Sequence, residues 1–235
     1  MSWERINDHD KYAILNNEIS HARSLTSILF RLRERRQTNR SASFTITMMN
    51  EALLFLLDVL LQPFAAILLL RFHLLWLRAP LRNPIGEFIM ALTDFLVLRA
   101  RRFIPAVRGL DSATLLLALF AEVFYLAAAL WAQGYPLHGF PLPGLLFLAL
   151  VKLFKISLYL LMAAVFAQAI LSWVNPYTAV APLLSAVTGR FLQPLRSIVP
   201  LLGNVDLSPL LLFIICQLAV IVPVGALERV AAGML

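Results

Sequence analysis

The stretch IGEFIMALTDFLVLRARRFIPAVRGLD at residues 85–111 recurs in altered form at residues 180–206, which read VAPLLSAVTGRFLQPLRSIVPLLGNVD. At a constant offset of 95 residues the two stretches share four polar or turn-forming residues: Thr93 with Thr188, Arg101 with Arg196, Pro105 with Pro200, and Asp111 with Asp206. Such different residue types are not expected to coincide in one register by chance. The matches therefore indicate an internal duplication.

Each stretch also carries apolar residues at helical spacing. They are Ile85, Phe88, Ile89, Leu92 and Leu96 in the first stretch, and Val180, Leu183, Leu184, Val187 and Phe191 in the second. This period predicts two amphipathic helices whose apolar stripes lie at the lipid boundary, with polar residues facing outward. Because proline lacks an N–H group and clashes with the preceding turn, Pro105 and Pro200 are predicted to end these helices.

The whole chain is too apolar for a soluble domain. Of its 235 residues, 60% are hydrophobic and 14% are charged, with a mean hydropathy of +0.81, whereas about a quarter of the residues in a soluble domain are charged. Four stretches are long enough to cross a bilayer, at residues 51–77, 112–133, 144–174 and 207–231. We predict an all-α membrane protein of four transmembrane helices, arranged as two parallel repeats that each contain an interfacial amphipathic helix.

These features divide the chain into three parts. Residues 1–47 are polar and basic, and are interpreted either as a disordered leader or as a misassigned start that precedes Met48 or Met49. Residues 48–139 are the first repeat and residues 140–235 are the second. Tryptophans close the predicted spans, where they typically anchor a helix at the membrane interface. They are Trp76, Trp131 and Trp173.

The distribution of basic residues predicts the orientation. Arginines are concentrated in the linkers at residues 78–111 and 174–206, whereas residues 133–144 contain no Lys or Arg. The positive-inside rule then places both linkers in the cytoplasm and both termini outside, although a translated leader would favour the opposite orientation. The net charge of +7 follows this distribution, so we expect the lipid bilayer as a partner and no nucleic acid.

Five ionisable residues lie in or near the predicted spans, namely Asp58, Arg71, Glu122, Lys152 and Lys155. An unpaired charge at the centre of a bilayer costs about 2.5–3.5 kcal/mol. Counting from the outer ends of the spans places Glu122 level with Lys155, and Asp58 level with Lys152. Two interpretations stay open: a charged pathway for an ion or proton, or ion pairs and snorkelling lysines that only fix how the helices dock.

The sequence shows no arrangement typical of an enzyme, such as a Gly-rich phosphate loop or a Ser/His/Asp set. We therefore expect no catalysis, cofactor or metal. Asp111 and Asp206 precede apolar runs and are predicted to cap the next helices, with Ser208 as an alternative cap. The arginines near the turns form a cytoplasmic docking surface for a partner or acidic lipid, or only set topology. They are Arg101, Arg102, Arg108 and Arg196.

The repeat resembles that of the YggT family, also called YlmG, of small bacterial and plastid membrane proteins. The resemblance covers about residues 50–233. It rests on RFHLLW at residues 71–76 and RRFIPAVRGLDS at 101–112, and on ILSWV at 170–174 and QPLRSIVPLLGNVDLSP at 193–209. The second repeat is the closer match. In the first repeat Phe95 and Arg99 stand where the family usually has proline, and in the second Gly189 and Arg190 replace Asp-Pro while Ser197 replaces the second Arg of the family pattern.

The resemblance implies a multi-pass protein of the bacterial cytoplasmic (inner) membrane without an established enzymatic activity. The family is associated with cell-division gene clusters, plastid nucleoid partitioning, cytochrome assembly and osmotic-stress tolerance. These associations imply a scaffold or assembly factor for cell division or membrane-complex biogenesis, whose partners are other membrane or division proteins and, in a homo-oligomer, further copies of itself. The alternative is a small oligomeric channel or transporter involved in osmotic or ion homeostasis.

Overall fold

The computed structural model describes residues 47–105, 110–134, 141–175, 177–198 and 206–234, and these ranges consist of helices joined by turns. Residues 54–235 form one compact unit, from which residues 1–53 are grouped apart. The predicted leader, except Thr47, lies outside the described residues. The helices are α1 (Thr47–Trp76), α2 (Pro84–Ala100), α3 (Ser112–Ala132), α4 (Leu142–Val174), α5 (Ala181–Arg196) and α6 (Ser208–Ala232).

Four of these helices confirm the predicted spans. The helices α1, α3, α4 and α6 contain 30, 21, 33 and 25 residues and are apolar enough to cross a membrane. Their ends agree with the predicted boundaries to within four residues. At about 1.5 Å per residue, α4 is about 50 Å long, which exceeds the hydrocarbon thickness of about 30 Å. It must therefore tilt or extend beyond the hydrocarbon.

The last span contains a π-helical turn at Val220–Val224. Pro223 lies inside this turn, where its missing N–H group interrupts the α-helical hydrogen-bond pattern. The chain returns to α-helical geometry over Gly225–Ala232. The π turn therefore accommodates the proline without ending α6.

Both linker helices, α2 and α5, lie at the same end of the bundle. One apolar cluster joins Leu74 and Ala79 near the end of α1, Ile89 of α2, and Leu183 and Val187 of α5. All five are nearly inaccessible to solvent. This shared cluster is the direct contact between the two repeats at the linker end, as parallel repeats require.

The predicted apolar stripes pack differently in the two linkers. In α5 the stripe faces the protein, because Leu183 and Val187 are buried, so it does not lie at the lipid boundary as predicted. In α2 the stripe is divided. Ile89 is buried while Phe88 is 61% exposed, and the buried face instead runs through Gly86, Ile89, Thr93 and Val97.

The linker helix α2 ends earlier than predicted. Its last residue is Ala100, and the turn over residues 101–103 separates it from Pro105. The carbonyl of Pro105 instead accepts a hydrogen bond from the Ser112 hydroxyl at 2.6 Å. Pro105 therefore belongs to the connection into α3. The second linker helix ends at Arg196, and Pro200 and Arg108 lie outside the described residues.

The start of α2 depends on a close backbone approach. The buried Asn83 caps the helix by accepting the Gly86 N–H at 2.9 Å, and its amide donates to the Pro80 carbonyl at 2.6 Å. This turn brings the Leu81 carbonyl so close that a Cβ atom on Gly86 would lie 2.4 Å from its oxygen. A side chain cannot be accommodated there without moving the backbone.

We predict that alanine has opposite effects at two linker-helix glycines. Gly86→Ala should lower the unfolding free energy by about 1–3 kcal/mol, because its Cβ overlaps the Leu81 carbonyl. Gly189→Ala should raise it by about 0.5–1 kcal/mol, because beyond the helix's own backbone no atom of the described residues lies within 4 Å of the new Cβ, and alanine favours a helix. Thermal unfolding in detergent measures both, and equal shifts for the two variants would contradict the packing of α2.

Candidate functional site

A buried arginine joins the first span to the first linker helix. Arg71 of α1 is 1% exposed, and its Nη1 donates to the Thr93 hydroxyl at 2.6 Å and to the Asp94 carboxylate at 2.7 Å. The Thr93 hydroxyl in turn donates to the Ile89 carbonyl at 2.6 Å. The Nε and Nη2 atoms of Arg71 are buried without a partner among the described residues. The cross-helix contacts nevertheless fix α2 against α1.

The second repeat uses the same positions with neutral residues. Gln168 follows Arg71 by 97 residues, the offset that relates Trp76 to Trp173, and its side-chain oxygen accepts a hydrogen bond from the buried Thr188 hydroxyl. Gly189 stands where the first repeat has Asp94. The cation and its carboxylate are thus replaced together, while the threonine contact is kept.

We call these two contacts, Arg71–Thr93–Asp94 and Gln168–Thr188, the span–linker ties. The two threonines match in the repeated sequence, but the repeat alone predicts no partner for either. The signal was available in the offset of 97, which places Gln168 opposite Arg71. A glutamine inside a span typically forms hydrogen bonds between helices, as Gln168 does here.

A second pair of duplicated contacts closes the return from each linker helix to the next span. Arg101 Nη2 lies 2.6 Å from Asp111 Oδ2, and Arg196 Nε lies 2.8 Å from Asp206 Oδ2. Both pairs span ten residues of sequence. Arg101 and Arg196, predicted as members of a docking surface, are therefore occupied in ion pairs. The next residue in the first turn, Arg102, is exposed.

The predicted caps are only partly correct. Asp111 is the N-cap residue of α3, but its carboxylate accepts from Arg101 and from the Thr114 hydroxyl at 2.5 Å rather than from a helix N–H group. Asp206 does accept the Ser208 N–H at 2.9 Å. Ser208 is fully buried and its hydroxyl has no partner in the described chain, so the alternative cap is wrong.

The ion pairs determine the charge state of both carboxylates. Burial raises the pKa of the Asp111 carboxyl, but hydrogen bonds from Arg101 and Thr114 outweigh it and leave this pKa below its usual value. The pKa of Asp206 is likewise lowered, because hydrogen bonds from Ser208 and Arg196 outweigh desolvation. Pairing with Asp111 raises the pKa of the Arg101 guanidinium. Both pairs are therefore ionised at neutral pH.

The intramembrane charges form a network that differs from the predicted pairs. Glu122 is fully buried, with Lys152 Nζ at 3.9 Å and Gln62 Nε2 at 3.4 Å from its Oε1. Lys152 also lies over the Tyr125 ring, 5.2 Å from its centroid, and the Tyr125 hydroxyl donates to Asp58 at 2.5 Å. Lys152, not Lys155, is thus the partner of Glu122.

Lys155 is paired on another side of α4. Its Nζ lies 2.8 Å and 3.0 Å from the two carboxylate oxygens of Glu228 on α6. Glu228 was not predicted as a partner, because depth along a span does not determine which neighbouring helix a side chain faces. Ion pairs between the spans are present, but they join different residues from those predicted.

The three tryptophans lie at the ends of spans, where they were predicted. Trp76 is the last residue of α1 and is 42% exposed, while Trp131 and Trp173 are penultimate in α3 and α4. Trp76 also contacts the Arg190 guanidinium, 5.4 Å from its ring centroid. Over the described residues no three His, Cys, Asp or Glu side chains are grouped as metal ligands.

The chain belongs to the CCB3/YggT family, whose model matches residues 50–132 and 147–227. One matched segment falls in each predicted repeat. This match confirms the resemblance inferred from the motifs. No solved structure matches the chain.

Several bacterial proteins are similar to the chain over most of its length. A protein of Pseudomonas aeruginosa is 33% identical over 172 residues, which is 72% of this chain and 87% of that protein. A protein of Vibrio alginolyticus encoded in the 3′ region of proC is 32% identical, over 70% of this chain and 89% of its own. The YggT protein of Escherichia coli K12 is 30% identical, over 69% and 84% respectively.

We predict that the first span–linker tie can be partly replaced by the residue of the second. Arg71→Leu should lower the unfolding free energy by about 1–3 kcal/mol, below the usual range for a broken buried pair because Asp94 is 39% exposed. Arg71→Gln should cost less, because glutamine can still bond Thr93. Thermal unfolding in detergent measures both variants. A wild-type melting temperature for Arg71→Leu would contradict a stabilising tie.

We also predict acid sensitivity from the two turn ion pairs. Because the pKa values of Asp111 and Asp206 are lower in the folded chain, the pairs contribute stability above about pH 4 and lose it as the pH falls through the folded-state pKa. Thermal unfolding between pH 7 and pH 3 should therefore show a smaller loss for Asp111→Asn/Asp206→Asn than for wild type. Identical losses would show that these carboxylates do not set the acid response.

Proposed function

We propose that the protein is a non-enzymatic scaffold or assembly factor of the bacterial inner membrane, for cell division or for biogenesis of a membrane complex. It binds other membrane proteins through the turns that follow its two linker helices, on the cytoplasmic side. The family membership and the four apolar helices support a multi-pass membrane protein. A feature of the two turns supports the proposed docking role.

The feature is a duplicated exposed apolar residue. Phe103 is 86% exposed and Ile198 is 77% exposed, and they match at the offset of 95 residues. Each follows closely after an arginine that is held by its aspartate, Arg101 or Arg196. Large exposed side chains on a turn fixed by an ion pair are typical of protein contacts, because little conformational entropy is lost when they bind.

The charge beside the first turn supports the same proposal. Arg102 is exposed, and within the described ranges it has no ion pair or side-chain hydrogen bond. Arg102 therefore replaces Arg101 and Arg196 as the arginine available to a partner. An apolar contact next to a free guanidinium fits an acidic segment with an apolar residue, since arginine is favoured at interface centres.

The second candidate function is a small channel or transporter that uses the network around Glu122. The observation in its favour is that Glu122 Oε2 is buried without a partner among the described residues, beside the partly exposed Lys152. Such a carboxylate is typical of a proton or ion pathway. Liposomes containing the purified protein that show no proton or ion flux under a voltage or osmotic gradient would rule this candidate out.

We predict a specific crosslinking pattern for the scaffold. A photoreactive phenylalanine analogue at Phe103 should give discrete crosslinked proteins in growing cells, and the same analogue at Phe120, a 68% exposed position in α3, should not. Arg102→Ala should reduce the Phe103 products about fivefold or more, corresponding to about 1 kcal/mol.

Two outcomes would contradict the proposal. The first is an unchanged crosslinking pattern in the Arg102→Ala background. The second is the same set of products from positions 103 and 120, which would indicate contacts made anywhere on the lipid-facing surface. Arg101→Ala is the matched comparison, because it removes an equal charge but also breaks the Asp111 pair. It should lower the melting temperature, whereas Arg102→Ala should not.

A further inference from the structure

A cleft of about 630 Å³ lies between the two repeats at the linker end of the bundle. The last turn of α1, the residue Leu110 and the helix α5 form its described walls. Its size falls within the range of about 300–1,000 Å³ that is typical of small-molecule sites. It is separate from the intramembrane network around Glu122, and it does not include the exposed turn residue Phe103.

Two arginines, one from each repeat, line the cleft. Arg78 follows the end of α1, and Arg190 lies on α5. Both are exposed, and in the part of the chain that the structure describes neither has an ion pair with a carboxylate. The described lining contains no acidic residue. Two cations that share one cleft without a carboxylate attract an anion, and guanidinium groups match phosphate geometry in particular.

The cleft lies at the end of the first span, where lipid headgroups are expected. Trp76, the last residue of the first span, lines it and holds the Arg190 guanidinium 5.4 Å from its ring centroid. Tryptophan is enriched at the interface between hydrocarbon and headgroups. Leu75, Leu77 and Ala186 make other parts of the wall apolar. The cleft therefore offers cations at headgroup depth next to apolar surface, as a lipid requires.

The backbone at Arg78 has a conformation that usually favours glycine. Ala79 N–H bonds the Leu74 carbonyl at 2.9 Å and Arg78 N–H bonds the Leu75 carbonyl at 3.2 Å, so α1 ends in a Schellman motif with Arg78 at the left-handed position. Its φ is +52°, where glycine is the usual residue. An arginine is strained at this position, and among the described residues its guanidinium makes no ion pair or hydrogen bond.

We propose that this cleft binds the phosphate of one anionic phospholipid headgroup between Arg78 and Arg190. The lipid chains then run along the apolar wall into the surrounding bilayer. A zwitterionic lipid fits less well, because its choline or ammonium cation would lie near the two guanidinium groups. The site is independent of the proposed docking turn, so either proposal can fail without the other.

Native mass spectrometry of the purified full-length protein tests the site directly. Wild type released from detergent with added phosphatidylglycerol should retain one lipid at least tenfold more tightly than phosphatidylcholine. Arg78→Gly should lose this preference, and it should fold at least as well as wild type because glycine suits the left-handed position. A loss of binding in this variant therefore cannot be explained by unfolding. Arg190→Gln should lose the preference as well.

The matched control is Arg82→Ala, which removes an equal charge from the same connection but does not line the cleft. It should bind like wild type. Equal affinity for the two lipids, or an unchanged preference in Arg78→Gly, would overturn the proposal. Thermal protection by millimolar inorganic phosphate but not by phosphatidylglycerol micelles would overturn the lipid assignment and identify a site for free phosphate.

Discussion

A threonine hydroxyl is buried in the middle of each linker helix, and its contact with the preceding span positions that linker in the bundle. Thr93 and Thr188 are both fully buried, and an unpaired hydroxyl in an apolar interior costs about 1–3 kcal/mol. Each hydroxyl bonds a carbonyl one turn earlier in its own helix, Ile89 or Leu184, and also contacts a polar side chain of the preceding span, Arg71 or Gln168. These ties hold both linker helices at one end of the bundle, where their buried apolar residues share one cluster with the end of α1.

The two repeats bond their buried threonines with side chains of different charge. The first tie contains a cation whose carboxylate is 39% exposed, while the second is neutral and places a glycine beside the threonine. The turn ion pairs, by contrast, are kept in both copies. The two repeats therefore hold their linker helices in the same geometry, although the charges in their span–linker ties differ. Their exposed surfaces are not equivalent among the described residues, where the first turn carries an unpaired arginine, Arg102, and the second does not.

Much of the fold could be predicted from the sequence, because the length of an apolar stretch and the offset between two repeats can both be read along the chain. The four spans follow from composition, and the offset of 95 residues locates both linkers. The partner of each charged residue depends on how the helices pack in three dimensions, and most of these partners were not predicted. Arg101 was assigned to docking although Asp111 stands ten residues away in both copies, which was a usable signal. Glu122 was matched to Lys155 rather than Lys152, because depth does not determine which helix face a side chain occupies.

The central claim is that both ties hold their linkers on the same side of the membrane. Cysteine labelling tests it, in a chain whose buried native Cys216 is replaced by serine. Single cysteines at Glu87 on α2, Gln193 on α5 and Gln133 after α3, all exposed positions, are treated with a membrane-impermeant maleimide in right-side-out and inverted vesicles. We predict that positions 87 and 193 react in one vesicle orientation and position 133 in the other. Labelling of 87 and 193 from opposite sides would contradict it.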